Sequence, residues 1–140
     1  MDINEGREVF FEILKAMEAT PEYIAYLKTM QNKTFEELTK AYEEAIKAME
    51  ATPAYKAYEE TIKAMKAIPA YKVYKEACDV METTPKRKTY KEACDVCRVT
   101  WNAVQETPEW EAKEKAKEAL KEAMTDYYQK KVGLERGKNE

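Results

Sequence analysis

Three cysteines have the strongest claim to chemistry in this chain. Cys94 and Cys97 form a Cys-x-x-Cys pair, and Cys78 lies sixteen residues before Cys94. Three thiolates could bind a soft ion such as Cu(I). The same positions also read as packing. Cys78 and Cys94 belong to two copies of KEACDV, at 75–80 and 91–96, and take the place that Ile46 and Ile62 hold elsewhere. Cys97 takes the place of Met49, Met65 and Met81. Free cysteine behaves as a small buried hydrophobe. Zinc normally takes four ligands, and there is neither a fourth cysteine nor any histidine. Packing is therefore the expected role. Cys78, Cys94 and Cys97 stand as metal candidates only, and no cofactor is expected.

The rest of the composition narrows the chemistry further. The chain has no serine, and its only glycines are Gly6, Gly133 and Gly137. Ser–His and Cys–His nucleophile pairs, histidine-ligated metals and glycine-rich phosphate loops are thereby excluded. Acid pairs such as Glu43-Glu44 and Glu59-Glu60 fall mainly on polar helix faces. General acid–base work needs carboxylates that face one another in a secluded pocket. Glutamate and lysine on these faces give solubility and weak pairing one turn apart. The chain does not read as an enzyme.

Charged residues make up 36% of the 140 residues and hydrophobic ones 44%, with a net charge of −3. That mixture suits solvated helices around an apolar centre. The charge is too small to argue for nucleic acid. No apolar run approaches the roughly 20 residues that span a bilayer. The acidic start, MDINEGREVFFEI, does not read as a signal peptide. The expected setting is the cytoplasm, with free thiols and no membrane partner.

The elements that must position these residues come from a repeat. Tyr42, Tyr58, Tyr74 and Tyr90 fall sixteen apart, and so do Pro53, Pro69 and Pro85. A fixed period signals a repeat architecture. Counted from each proline, large apolar residues sit at the second, fifth, ninth and twelfth places after it. These are Tyr55, Tyr58, Ile62 and Met65, then Tyr71, Tyr74, Cys78 and Met81. That spacing marks one helical face. Thr20-Pro21, Thr52-Pro53, Thr84-Pro85 and Thr107-Pro108 each read as a helix start, with Ile68-Pro69 as a degenerate copy. Threonine caps the free amides of a first turn, and proline suits the next position because its missing N–H costs nothing there. Thr34 to Glu37 is a capping box after a break at 31–33. Asp2 and Glu5 could form another at the start of a first helix that presents Phe10, Leu14 and Met17.

One continuous helix would turn by roughly 160° per sixteen residues. It would throw successive apolar stripes to opposite sides, so separate helices that reverse at each corner are expected. They should run near 21–31, 34–51, 53–67 and 69–83. The rhythm then changes. Trp101 stands where a proline is due, while Tyr90, Cys94, Cys97, Trp101 and Val104 continue the stripe. One longer helix near 86–105 is expected. A last helix from Pro108 should present Trp110, Leu120, Met124 and Tyr127 inward and stop at Gly133. The expected fold is all-α: about seven short antiparallel helices, two repeats to an αα-hairpin, stacked as an α-solenoid-like array or a compact bundle. Residues 1–132 read as one domain and 133–140 as a mobile tail. A two-repeat hairpin is similar in length to a tetratricopeptide-type unit, but that family's Trp-Leu-Gly-Tyr pattern is not reproduced.

Function then rests on surfaces. Tyrosine joins an apolar body to a polar tip and suits seams and interfaces, and the chain has ten. Tyr23, Tyr55 and Tyr71 are the candidate partner contacts, with the basic cluster Lys86, Arg87 and Lys88. The expected function is non-enzymatic: protein–protein interaction or self-assembly through a tyrosine-rich face of stacked helices. The alternative is a small-ligand or soft-metal carrier built on the Cys78, Cys94 and Cys97 region. The Thr-Pro sites also match proline-directed phosphorylation, but helix capping accounts for them.

Overall fold

The structure, a computed structural model, describes residues 3–83 and 86–139. Among them are seven helices and no strand. They are α1 (Ile3–Met17), α2 (Pro21–Met30), α3 (Phe35–Glu50), α4 (Pro53–Lys66), α5 (Pro69–Thr83), α6 (Arg87–Gln105) and α7 (Pro108–Asn139). No helix is long and apolar enough to cross a membrane among the described residues. The expected capping by Asp2 and the Thr84-Pro85 corner lie outside the described residues.

The corners form by local chemistry. Thr20, Thr52 and Thr107 each accept a hydrogen bond at Oγ1 from the amide three residues on, at Tyr23 (3.4 Å), Tyr55 (3.1 Å) and Trp110 (3.2 Å). The same hydroxyls donate back to the carbonyl three residues before, at Met17 (2.8 Å), Met49 (2.7 Å) and Val104 (2.6 Å). A hydroxyl can do both at once. One threonine thus caps the incoming helix and the outgoing one. Ile68 lacks the hydroxyl, and its corner keeps only the backbone bonds, Ile68 N–H to Met65 O (3.2 Å) and Tyr71 N–H to Ile68 O (3.1 Å). Thr34 caps α3 through the Glu37 amide (3.2 Å). Thr52→Val keeps the shape and removes both side-chain bonds. It is expected to cost about 1–2 kcal/mol, read as a lower midpoint in chemical denaturation with no loss of helix.

Two features of the last helix differ from the sequence reading. Its buried face is Leu120, Met124, Tyr128 and Val132, four residues apart, while Tyr127 is only half-buried. It also does not stop at Gly133. A glycine stop needs a positive φ, no described glycine has one, and α7 continues to Asn139.

Packing divides the described residues into two units. Unit 1 holds the chain through Tyr58 together with the part from Ala116 onward. In it α1 runs antiparallel to α3. Phe10 meets Tyr42 edge-on, with ring centres 5.1 Å apart, and a methyl built on Gly6 would stand 2.6 Å from Glu50 Oε1. α1 also meets α4, where Tyr58 donates to Glu12 Oε2 at 2.9 Å. The interior is Val9, Phe10, Ile13, Met17, Met49, Tyr55, Tyr58, Leu120, Met124 and Tyr128. Burying side chains of this size stabilises by about 1.5–3 kcal/mol each, so this apolar cluster is what holds the unit.

Unit 2 spans Glu59–Lys115. Its centre is the pair α5 and α6. Tyr74 lies against Trp101 and Cys78 against Cys97, so the two helices run antiparallel. Ala77 and Ala93 are buried, and small side chains there let the backbones approach.

Candidate functional site

The seam between α5 and α6 collects the reactive side chains of unit 2. Both helices present their apolar stripe to it, which brings Cys78, Met81 and Tyr74 to face Cys97 and Trp101. Cys97 Sγ lies 3.6 Å from Cys78 Sγ, 3.4 Å from Met81 Sδ and 3.9 Å from the Tyr74 carbonyl oxygen. Trp101 packs on Tyr74 at 4.9 Å and meets Trp110 edge-on at 5.0 Å. Lys113 Nζ sits 4.3 Å over the Trp110 ring and 3.3 Å from Glu114 Oε1, which lets this charged side chain be buried.

The protonation states follow from this packing. Burial, then the hydrogen bond with Cys78, then the fields of Cys78 and Cys94 push the Cys97 thiol up to about 11. The Tyr74 phenol is raised first by its hydrogen bond with Cys78, then by burial. Cys97 is therefore a protonated donor at neutral pH and not an activated nucleophile. The three cysteines are free thiols, all half-buried. The structure brings Cys78 and Cys97 together; among the described residues Cys94 makes no sulfur–sulfur contact. Among the described residues no three His, Cys, Asp or Glu side chains come close enough to hold a metal. The third sulfur at the seam is Met81, which the repeat alone assigns to the core.

No family model matches the chain, no curated protein matches it, and no solved structure matches it.

The tyrosine candidates are placed differently from one another. Tyr55 is 5% exposed inside unit 1, its hydroxyl 3.5 Å from a methyl built on Gly6, so it offers no surface to a partner. The cause is local: α4 lies against α1, and the glycine leaves room for the phenol. Tyr23 is half-buried in a cluster with Tyr26, Tyr127 and Tyr128, where Tyr26 and Tyr128 ring centres lie 4.6 Å apart and Tyr23 and Tyr128 5.3 Å. Burial first, then the neighbouring phenols, raises Tyr128 well above the ordinary tyrosine range. Burial raises Tyr23 and Tyr127 as well, so these three phenols stay protonated. Tyr71 is half-buried beside Tyr74, with ring centres 6.0 Å apart. Lys86, Arg87 and Lys88 are exposed at the start of α6, and Lys86 is its N-cap without a side-chain hydrogen bond.

A groove of about 280 Å³ beside the unit 1 tyrosines is lined by Tyr26, Lys33, Lys40, Glu44, Tyr127 and Lys131 among others. Lys131 Nζ already faces Glu44 at 3.7 Å, and Lys33 faces Glu37 at 3.8 Å. Local pairing leaves that groove little net field for an anion.

Proposed function

We propose that this chain is a cytoplasmic, non-catalytic interaction protein. Its sixteen-residue units act as structural repeats of an α-solenoid-like stack, and their outer faces hold a protein partner or a second copy. The observation that carries this reading is a second apolar stripe left outside. Ile24 and Leu27 on α2, and Phe35 and Leu38 on α3, are exposed in pairs one turn apart, Phe35 at 83%. Val96 and Val99 on α6 repeat the pattern in unit 2, and Val73 and Val80 on α5 are exposed two turns apart. Scattered single apolar residues need no explanation, but paired ones at helical spacing favour an interaction face. In unit 2, Tyr90 and half-buried Tyr71 supply the aromatic part of such a face, and Lys86, Arg87 and Lys88 its basic edge.

The test is the mass of the full chain in solution against concentration, by light scattering. Assembly above the monomer at micromolar concentration is expected, and Leu27→Glu with Phe35→Glu should return it to monomer with helicity kept. A wild-type chain that stays monomeric at every concentration and retains no protein from native extract would remove the reading.

A further inference from the structure

The sulfur contact at the α5–α6 seam carries an inference of its own, independent of the interaction reading. Zinc and harder ions lack a ligand set here, because two thiols come together and, among the described residues, no histidine or carboxylate completes them. Thiolate and thioether sulfur together select Cu(I) instead.

We propose that Cys78, Met81 and Cys97 form a three-sulfur site for Cu(I). Cys97 Sγ stands 3.6 Å from Cys78 Sγ and 3.4 Å from Met81 Sδ. Cys78 and Met81 are three residues apart on α5 and share a face, so Cys97 is the sulfur that both of them meet. A metal–sulfur bond to a d10 ion is about 2.3 Å, so sulfurs around a three-coordinate ion lie roughly 4 Å apart. Cys97 Sγ has to draw back from each of the other two sulfurs by about half an ångström. The repeat makes the feature specific. Met49 and Met65 hold the same place as Met81 but are buried, with isoleucine at the cysteine position; Met81 is half-buried beside two thiols. The Tyr74 phenol, hydrogen-bonded with Cys78, can donate to that sulfur as a thiolate and steady it. On binding, each thiol gives its proton to solvent and forms a sulfur–copper bond. Copper stays Cu(I), and no electron is transferred.

The experiment is an anaerobic titration of the reduced full chain with Cu(I) supplied as a coloured chelator complex. One copper per chain should leave the chelator. Cys78→Ile, which places there the residue of the other repeats, and Met81→Leu, which keeps the size, should each weaken retention by roughly tenfold or more, since even outer partners of metal ligands contribute about that much. Cys94→Ile should bind as the wild type does. Circular dichroism is recorded for every variant, so that lost copper is counted only where helix content is kept. The proposal is overturned if the wild type withdraws no copper, if Cys94→Ile loses it as Cys78→Ile does, or if Met81→Leu binds unchanged.

Discussion

Phe10→Ala is expected to destabilise unit 1 by about 3–5 kcal/mol, while the same change at the neighbouring Phe11 costs about 1 kcal/mol or less. The two residues have the same side chain, adjacent in the sequence. What separates them is the 100° turn of α1 between one residue and the next. Phe10 is 1% exposed and meets Tyr42 edge-on at 5.1 Å, whereas Phe11 is 55% exposed and lies 6.0 Å from the same ring. Removing Phe10 loses the transfer free energy of a whole ring and leaves a cavity between α1 and α3. Other side chains of the same interior, Ile13, Met17 and Met49 among them, are themselves fully buried, which limits how far the unit can collapse into it. An edge-on aromatic pair adds about 0.5–1.5 kcal/mol beyond its buried area, so a double-mutant cycle of Phe10→Ala with Tyr42→Leu should show coupling of that order. Denaturant midpoints for the two single variants decide the matter. Equal losses at positions 10 and 11 would mean that α1 presents a different face to the interior, and the account of unit 1 would go with it.

The contrast also shows what is legible in one dimension. Helix starts are legible because they are made locally. A threonine, a proline and the next three residues contain every atom of the corner, so Thr20, Thr52 and Thr107 can be placed from the sequence alone. The long α6 is legible for the same reason, since an unbroken stripe without proline has no cause to stop. What the pattern does not carry is which stripe meets which. Tyr55 and Tyr71 occupy the same repeat position, yet one is buried against α1 and the other is half-buried beside Tyr74. Their sequences differ little; their neighbours differ entirely.

The sulfur seam follows the same rule. The cysteine positions are visible as sulfur at a core spacing, and their likeness to isoleucine and methionine positions argues for packing. Met81 joins Cys97 rather than Cys94 because α5 and α6 run antiparallel in one particular register. No local motif encodes that register. In α7, the assignment of Tyr127 to the interior depends on small errors of phase. A stripe of Leu120, Met124 and Tyr128 advances by four each time, slightly more than a helical turn. A shift of one residue over two turns is enough to exchange the buried tyrosine for its neighbour. Gly133 fails as a stop because glycine permits the left-handed conformation without requiring it.

Trp101→Pro restores the sixteen-residue period on paper and is expected to break α6. Proline inside a helix removes its own N–H and drives its ring toward the carbonyl four residues earlier, at about 3 kcal/mol or more. Here that carbonyl belongs to Cys97, the residue whose sulfur meets Cys78 and Met81. The residue before the proline, Thr100, would also be pushed out of the α region. Beyond the backbone cost, the change deletes the ring that packs on Tyr74 at 4.9 Å and on Trp110 at 5.0 Å. Trp101→Leu separates the two effects, because it keeps the helix and removes only the aromatic contacts. The leucine variant should lose about 1–3 kcal/mol with its far-ultraviolet circular dichroism intact. The proline variant should lose several kcal/mol and a measurable share of helix, since the α5–α6 pair carries most of the packing in unit 2. A proline variant that melts with the leucine one, helix content unchanged, would mean that position 101 is already a corner. The continuity of α6, and with it the register that sets Cys78 opposite Cys97, would then have to be given up.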